Sequence, residues 1–417
     1  MSDSHAFGYR GNELFAESVP LQQIAEKFDT PCYVYSRAAL TQVYLEFDHA
    51  FKNRDHLICY AVKANSNIAI LNLLARLGSG FDIVSGGELH RVIRAGGDPK
   101  KTVFSGVGKS INEMRMALEA DILCFNVESE SELIALNQTA GLIGKIAPVS
   151  LRVNPDVDAR THPYISTGLK ENKFGIPIDE AERIYQSAQC FPHIRFTGLD
   201  CHIGSQLTAL EPFLQASGKL LNLLKKLESL GLAISHLDLG GGLGIRYANE
   251  RPPSVRDYVT ALCDTAGHIK QRILIEPGRS LVGNSGLLLT RIEYLKNTPD
   301  RDFVIVDAAM NDLMRPALYD AYHDILPVNK ASTETKNYQV VGPVCESGDF
   351  LGHDRKLGVA QGDLLAVMSA GAYGMSMSSN YNTRPRAVEV MVDKDTVHVI
   401  RKRETIDELL ANEAILP

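Results

Sequence analysis

Short apolar segments rich in β-branched and aromatic residues alternate with segments of helical periodicity through the first two thirds of the chain. Eight apolar segments are found, at residues 57–63, 80–85, 102–106, 123–129, 149–155, 196–204, 236–242 and 273–279. Segments that are apolar on both faces are typical of buried parallel strands. The clearest helical pattern between them, SGKLLNLLKKLESLG, begins at Ser217. The alternation predicts an α/β fold, and eight strands favour a closed (β/α)8 TIM-like barrel over an open sheet.

The helical pattern fades after residue 280, where strand-like segments alternate with turn residues. These segments lie at residues 287–297, 302–309, 337–345, 363–371, 386–393 and 396–402. Such spacing predicts an antiparallel β-domain of the sandwich or barrel-like kind. We therefore expect a barrel at residues 36–280, a β-domain at 281–417, and an N-terminal segment at 1–35 that packs with the β-domain.

Composition and charge restrict the class of partner. The chain has 417 residues and a formal net charge of −7, without blocks of like charge, which argues against nucleic acid or an anionic membrane as the main partner. No apolar run approaches the ~18 residues of a membrane span, and the first residues lack the apolar core of a secretory signal. Seven cysteines show no CxxC pair and no zinc-ligand spacing. A small-molecule partner, a cytoplasmic location and no metal are expected.

The stretch CYAVKANSN places Lys63 at the end of a buried strand. An unpaired buried ammonium is costly, so the lysine is either paired with a carboxylate or serves as a nucleophilic amine with a lowered pKa. In a (β/α)8 barrel the chemistry lies at the carboxyl ends of the strands. The other candidates at predicted strand ends are Asp82, Arg152, His202, Gly240, Gly241, Gly242, Glu276 and Arg279.

Two further motifs give the lysine a chemical context. The glycines of DLGGGLG either cradle a phosphate or form a simple tight turn, and they do not match a dinucleotide-binding fingerprint. In IEPGRS, Glu276 either pairs with Arg279 or bonds a pyridine nitrogen, which would keep that nitrogen protonated and make the ring an electron sink. Together with Lys63, a phosphate-binding turn and a carboxylate for a pyridine nitrogen predict a binding site for pyridoxal 5'-phosphate (PLP).

Further candidates have an equally plausible structural role. His202, in CHIGSQ, either stacks on a flat ring or is a core histidine, and Ser205 is placed to bond a phosphate. Loops of the second domain, rich in glycine and proline, have the composition of loops that line a site. Their candidate residues are Arg315, Tyr319, Cys345, Glu346 and Tyr373.

In combination these motifs resemble those of the PLP-dependent decarboxylases of the alanine-racemase-like barrel group, and within that group the diaminopimelate decarboxylases. The matching signatures are YAVKANSN, FDIVSGGEL, NPDVDARTHPYISTGLKENKFGI, HIGSQ, GGGLG, EPGR, MRPALYDAYH, GPVCESGD and GAYG. They extend over nearly the whole chain. Racemases of this fold are expected to place an arginine at the ring nitrogen, whereas this chain has Glu276.

The resemblance implies a role for each candidate. Lys63 would link covalently to PLP, His202 would stack on its ring, and Glu276 would bond the ring nitrogen. The residues implied to bind the cofactor phosphate are Ser205, Gly240, Gly241, Gly242 and Gly278. Tyr373 would contact both cofactor and substrate. The residues implied to bind the distal end of the substrate are Arg279, Arg315, Tyr319 and Glu346, with Cys345 as a proton donor.

The resemblance also implies the reaction and the assembly. It predicts decarboxylation of meso-2,6-diaminopimelate to L-lysine and CO2, in a homodimer whose active sites are shared because Cys345 and Glu346 come from the partner subunit. Two alternatives stay open. One is a decarboxylase of a related diamino acid, of the ornithine or carboxylated polyamine type, and the other is a catalytically silent homologue that acts by binding.

Overall fold

The chain folds into two units in the computed structural model, which describes residues 6–158, 173–330 and 334–417. The barrel unit consists of residues 43–246 and 250–281, and the sheet unit of residues up to 42, 247–249 and from 282 onward. The part of the NPDVDARTHPYISTGLKENKFGI signature at residues 159–172 lies outside the described residues.

The strands are β1 (Phe7–Arg10), β2 (Glu13–Ala16), β3 (Val19–Pro20), β4 (Cys32–Ser36), β5 (His56–Ala61), β6 (Gly80–Ile83), β7 (Thr102–Phe104), β8 (Cys124–Val127), β9 (Ala147–Asn154), β10 (Ile176–Pro177), β11 (Ile194–Asp200), β12 (His236–Asp238), β13 (Arg272–Ile275), β14 (Gly286–Asn297), β15 (Asp302–Val306), β16 (Ile325–Pro327), β17 (Lys336–Val341), β18 (Phe350–Leu357), β19 (Leu364–Val367), β20 (Val388–Asp393) and β21 (Thr396–Arg401).

The α-helices are α1 (Leu21–Phe28), α2 (Arg37–Ala50), α3 (Ile68–Arg76), α4 (Gly86–Arg94), α5 (Ile111–Glu119), α6 (Glu130–Leu142), α7 (Ile178–Gln186), α8 (Glu211–Ser229), α9 (Val255–Ala266), α10 (Arg279–Val282), α11 (Arg315–Tyr319) and α12 (Ile406–Leu410). Among the described residues, none of these helices combines the length and the apolar character needed to cross a membrane.

Eight parallel strands close the barrel in the order β5, β6, β7, β8, β9, β11, β12 and β13, and β13 pairs again with β5. The predicted (β/α)8 barrel is confirmed. Each of the eight apolar segments overlaps one barrel strand. The two-residue strand β10 is added beside β9.

Burial and capping explain why the strand ends are well defined. Every position of β6, β7, β8 and β12 is buried, as expected for strands covered on both faces. Helix α4 is capped by Ser85, whose Oγ accepts the Glu88 N–H at 3.2 Å. Helix α5 begins with a capping box between Ser110 and Glu113. Because such caps fix where each helix starts, they hold the loops at the carboxyl ends of the strands.

The sheet unit is a separate sheet domain around the long strand β14. This strand pairs antiparallel with β4, β15 and β19. The sheet is mixed rather than purely antiparallel, because β15 pairs parallel with β17 and β4 pairs parallel with β20. The second parallel pair arises because β4, from the N-terminal part of the chain, lies between β14 and β20 with all five residues buried.

Candidate active site

Lys63 lies directly after β5, in a single 3-10 turn at Val62–Ala64. Its Nζ is 2.6 Å from Oδ2 of Asp82, on the neighbouring strand β6. The Asp82 side chain is fully buried, whereas 38% of the Lys63 side chain is exposed. The amine therefore has a carboxylate partner inside the barrel while its side chain still meets solvent. This contact is the charge pair expected as the alternative for Lys63.

His202 follows β11 and lies against the glycine turn. Its Nδ1 accepts the backbone N–H of Gly241 at 3.1 Å, so the proton of the neutral ring is on Nε2. Desolvation, together with the nearby cations Arg152 and Lys63, lowers the pKa of His202 well below its ordinary value. The imidazole is therefore neutral at physiological pH.

The glycine turn after β12 packs directly against the end of β13. Gly240 and Gly242 have φ angles of +67° and +109°, in the region that favours glycine. A Cβ atom on Gly241 would lie 2.1 Å from the carbonyl oxygen of Glu276, so only glycine fits there. The Gly240 N–H donates to Oδ1 of Asp238 at 3.0 Å. The turn therefore positions the backbone beside both Glu276 and Asp238.

Ser205 and Arg279, which are 74 residues apart in the chain, are in contact. Arg279 is the first residue of α10, is 6% exposed, and donates to Ser205 Oγ from Nη2 at 3.0 Å and from Nε at 3.3 Å. Gly278 precedes it in close packing, since a Cβ there would be 3.1 Å from the Cβ atoms of Ala61 and Ala64. A guanidinium and a hydroxyl side by side are suited to binding an anion.

Glu276 follows β13 and is 6% exposed. Its Oε1 accepts hydrogen bonds from Asn126 Nδ2 at 3.3 Å and from Ser105 Oγ at 3.5 Å. Burial raises the pKa of this carboxyl well above its ordinary value, the charges of Asp238, Asp82 and Asp200 raise it further, and Lys63 opposes them. The raised pKa favours the protonated form of the Glu276 carboxyl, which among the described residues forms no ion pair with Arg279.

Two carboxyls beside Glu276 were not among the candidates from the sequence. The carboxylate oxygens of Asp200, Asp238 and Glu276 lie within 4.8 Å of one another. Asp200 ends β11 and Asp238 ends β12, and both are essentially buried. The signal that could have found them is the one that singled out Lys63, an ionisable residue at the end of an apolar strand.

Arg152, expected at a strand end, is buried against a carboxylate that directly follows the neighbouring strand β8. Its Nη1 lies 3.1 Å from Oε1 of Glu128, and its guanidinium lies 5.0 Å from the ring centroid of Phe174. Glu128 also accepts the N–H groups of Gly106 and Gly175 at 2.9 and 3.1 Å. Glu128, which the sequence reasoning missed, therefore joins three loops at this end of the barrel.

Arg315, at the start of α11 in the sheet unit, is held in place by His323. This histidine was not among the candidates from the sequence. Arg315 Nη1 is 2.8 Å from Nε2 of His323, and His323 Nδ1 is 2.8 Å from the carbonyl oxygen of Met368. The Arg315 guanidinium carbon lies 4.6 Å from the centroid of the Tyr247 ring. Because a carbonyl only accepts, Nδ1 of His323 carries the proton and Nε2 accepts from the arginine. Tyr319 ends the same helix.

Cys345 and Glu346 are exposed in a loop of the sheet unit. The Cys345 N–H donates to Asn382 Oδ1 at 2.8 Å, and the Tyr381 hydroxyl donates to Glu346 Oε2 at 3.2 Å. Tyr373 has a φ angle of +56°, which is uncommon for a tyrosine, and such backbone conformations cluster at functional sites. These residues are thus presented by ordered loops of their own unit.

Comparisons with known proteins identify relatives of the whole chain. Residues 37–283 match the pyridoxal-binding domain of the pyridoxal-dependent decarboxylases. A diaminopimelate decarboxylase from Pseudomonas aeruginosa is 59% identical over 99% of both chains. The crystal structure of diaminopimelate decarboxylase from Helicobacter pylori complexed with L-lysine is 44% identical, with a TM-score of 0.91, over 94% of this chain and 98% of that one. The M. jannaschii diaminopimelate decarboxylase in complex with L-lysine is 39% identical, with a TM-score of 0.95, over 100% and 99%.

Proposed function

Because this chain belongs to the pyridoxal-dependent decarboxylase family, and resembles diaminopimelate decarboxylases over its full length, we propose that it decarboxylates meso-2,6-diaminopimelate to L-lysine and CO2 with PLP as its cofactor. The reaction is the last step of lysine biosynthesis. The proposal rests on three side chains at one end of the barrel: an amine, an imidazole and a carboxyl. Lys63, His202 and Glu276 lie on three loops that follow three different strands, at the same end of the barrel.

The residues present fit PLP chemically. The Lys63 amine can link to an aldehyde, and the buried carboxyl of Glu276, whose pKa is raised, can bond a ring nitrogen. When bound, PLP supplies an electron sink for the electron pair that remains when CO2 leaves. The Ser205–Arg279 contact offers hydrogen-bond donors for a phosphate, and the adjoining glycine turn would add the Gly242 N–H, since the Gly240 and Gly241 N–H groups donate to Asp238 and His202.

Lys63 and Asp82 act as one unit in this proposal. An ammonium must lose its proton before it can act as a nucleophile, and Asp82 Oδ2 is placed at 2.6 Å to accept that proton. Asp82 is fully buried, so its charge is screened little by solvent. It therefore also holds the amine in one orientation at the end of β5.

His202 contributes a flat, neutral face and no charge. Its Nδ1 is engaged by the Gly241 N–H, which fixes the plane of the imidazole relative to the glycine turn. A neutral ring leaves the electronic effect on the cofactor to Glu276. We propose that this ring stacks on the pyridine ring of PLP.

Arg279 of the barrel unit and residues of the sheet unit complete the proposal for the substrate. We propose that Arg279, Arg315, Tyr319 and Tyr373 contact its distal carboxylate or the cofactor, that Glu346 binds the distal ammonium, and that Cys345 supplies a proton. Glu346 and Cys345 would come from the partner subunit of a homodimer, so that each active site is shared. The exposed positions of both residues are compatible with reaching a second chain.

We also propose a cytoplasmic location. All seven cysteines are free, including the exposed Cys190 and Cys345, which is the usual state of thiols in a reducing compartment.

Product analysis tests the function directly. The purified protein is supplied with PLP and with meso-diaminopimelate, ornithine or lysine, and both CO2 and the amine product are measured. Diaminopimelate should be converted to L-lysine much faster than the others, because an arginine left without its carboxylate partner is costly. Comparable kcat/KM for ornithine would favour the ornithine-type alternative. A colourless protein, with no change on borohydride reduction, would favour the catalytically silent alternative.

A further inference from the structure

The barrel contains a buried group of three carboxyls, Asp200, Asp238 and Glu276, which we call the carboxyl trio. Their exposed fractions are 1%, 0% and 6%, and their oxygens lie within 4.8 Å of one another. Oδ1 of Asp200 and Oδ2 of Asp238 are buried without a hydrogen-bond donor among the described residues. Three buried negative charges at this spacing would be strongly unfavourable.

The nearby cations are already engaged by other carboxylates. Lys63 contacts Asp82 at 2.6 Å, and Arg152 contacts Glu128 at 3.1 Å. Within the described residues, no lysine or arginine forms an ion pair with a member of the trio. The other ionisable side chains among the described residues that interact electrostatically with the trio are Lys63, Asp82, Glu128, Arg152, Cys59, Cys124, Tyr185, Cys201 and Tyr258. Protons on the carboxyls can therefore neutralise the trio.

We propose that the carboxyl trio shares protons as one unit and that Asp238 is the positioning residue of this unit, holding Glu276 through a carboxyl–carboxyl hydrogen bond. Two ionised carboxylates both lack a donor, so a hydrogen bond between them requires a proton on one. Asp238 is held in place from its other side, because its Oδ1 accepts the Gly240 N–H at 3.0 Å. The same glycine turn packs against the Glu276 backbone, whose N–H donates to the Gly240 carbonyl at 2.8 Å.

The pKa shifts of Asp238 and Glu276 indicate which of the two carboxyls donates the proposed hydrogen bond. Burial raises the pKa of Asp238 to about 7, while the hydrogen bond from Gly240 and the proposed hydrogen bond from Glu276 lower it. The pKa of Glu276 is raised well above its ordinary value by burial and by the charges of Asp238, Asp82 and Asp200. Glu276 is thus the donor and Asp238 the acceptor.

The consequence for catalysis rests on the proposed function, in which Glu276 faces the ring nitrogen of PLP. When PLP is bound, a proton on Glu276 could pass to that nitrogen: the O–H bond would break, an N–H bond would form, and no proton would be taken from solvent. The negative charge of Asp238 behind Glu276 favours the protonated ring. Asp238 would therefore act on the cofactor through Glu276, without touching it.

The first test uses the protein without PLP. The folded trio binds protons that the unfolded chain releases, so its contribution to stability is present below about pH 4 and is lost as pH rises through about 7. Asp238→Asn keeps an acceptor for Gly240 and adds a donor for Glu276, but removes one titrating group. The urea midpoint should fall less between pH 5 and pH 8 in this variant than in the wild type, equivalent to about one proton fewer bound on folding.

Asp264→Asn, the same change at an exposed position of α9, is the matched control and should behave like the wild type. If Asp238→Asn does not fold, Asp200→Asn should show the same reduced pH dependence. An unchanged pH dependence in the variant that folds would overturn proton sharing.

The second test reads the ring nitrogen itself, by 15N NMR of protein loaded with 15N-labelled PLP. The nitrogen should stay protonated to a higher pH in the wild type than in Asp238→Asn, because the variant loses a negative charge and its amide donates to Glu276. Identical titrations would refute the positioning role of Asp238. Failure of the wild type to bind PLP would refute the proposed function, while the urea experiment would still decide whether the trio shares protons.

Discussion

Replacing His323 by asparagine tests whether the orientation of Arg315 determines the affinity for substrate. His323 is fully buried and Arg315 is 6% exposed, and the two are joined by the 2.8 Å contact between Nε2 and Nη1. Asparagine can retain the donor to the Met368 carbonyl that Nδ1 provides, but its side chain is too short to reach Arg315. Glutamine, conversely, is long enough to accept from Arg315.

The magnitude follows from the kind of contact that is lost. A buried hydrogen bond to a charged group contributes about 1.5–3 kcal/mol. At about 1.4 kcal/mol for each factor of ten, His323→Asn should lower kcat/KM for diaminopimelate roughly 10- to 150-fold. If Arg315 binds the distal carboxylate equally in the ground state and the transition state, the loss should be in KM, with little change in kcat.

Steady-state kinetics with diaminopimelate is the assay, and His323→Gln is the matched variant. Both substitutions remove the imidazole that contacts the Tyr247 ring, so their unfolding temperatures should fall similarly, whereas glutamine should recover part of the affinity. In an Arg315→Gln background, His323→Asn should have little further effect on KM. Equal losses of affinity in the asparagine and glutamine variants, or a fall in kcat at constant KM, would refute the reasoning.

Other predictions concern the barrel and the assembly. Lys63→Ala should fold, lose the visible absorbance of covalently bound cofactor and lower turnover at least about 100-fold; a borohydride-reducible adduct in this variant would contradict the assignment. Glu276→Gln should retain PLP but raise the activation free energy by about 2 kcal/mol, which lowers kcat roughly 30-fold. An unchanged kcat would mean that the residue has only a structural role. Gly241→Ala should destabilise the protein by about 1–3 kcal/mol in urea unfolding, since its Cβ would meet the Glu276 carbonyl at 2.1 Å; no change would mean that the turn yields easily. Mixing inactive Lys63→Ala and Cys345→Ala proteins should restore activity if active sites are shared, and verified subunit exchange without activity would exclude sharing.

The barrel could be predicted from the sequence because its signal is local. Apolar segments of strand length alternate with helical ones, and parallel strands covered on both faces leave just this pattern. The sheet unit was less predictable. Strand β18 carries His353, Asp354, Arg355 and Lys356, so its sequence does not resemble a buried strand, and β16 has only three residues. Strand β4 pairs parallel with β20, and the paired residues are more than 350 positions apart in the chain. A local sequence pattern does not show such a pairing.

The candidate site divides in the same way. The sequence by itself put Lys63, His202 and Glu276 at strand ends, because parallel strands in a barrel deliver their carboxyl ends to one side. Which side chains meet there depends on strand order and closure. Those determine that Lys63 contacts Asp82, that Arg279 contacts Ser205, and that Asp200 and Asp238 surround Glu276.

Only the tertiary structure decides the charge states, because desolvation and like charges act over a few ångströms in space and leave no periodic trace in the sequence. In the sequence, an aspartate at the end of an apolar segment looks the same in both environments. Asp82 is paired with Lys63, whereas Asp238 is packed against other carboxyls. The sequence determined which chemical groups the barrel contains. The closed barrel determined which of them lie close together and how burial and neighbouring charges act on them.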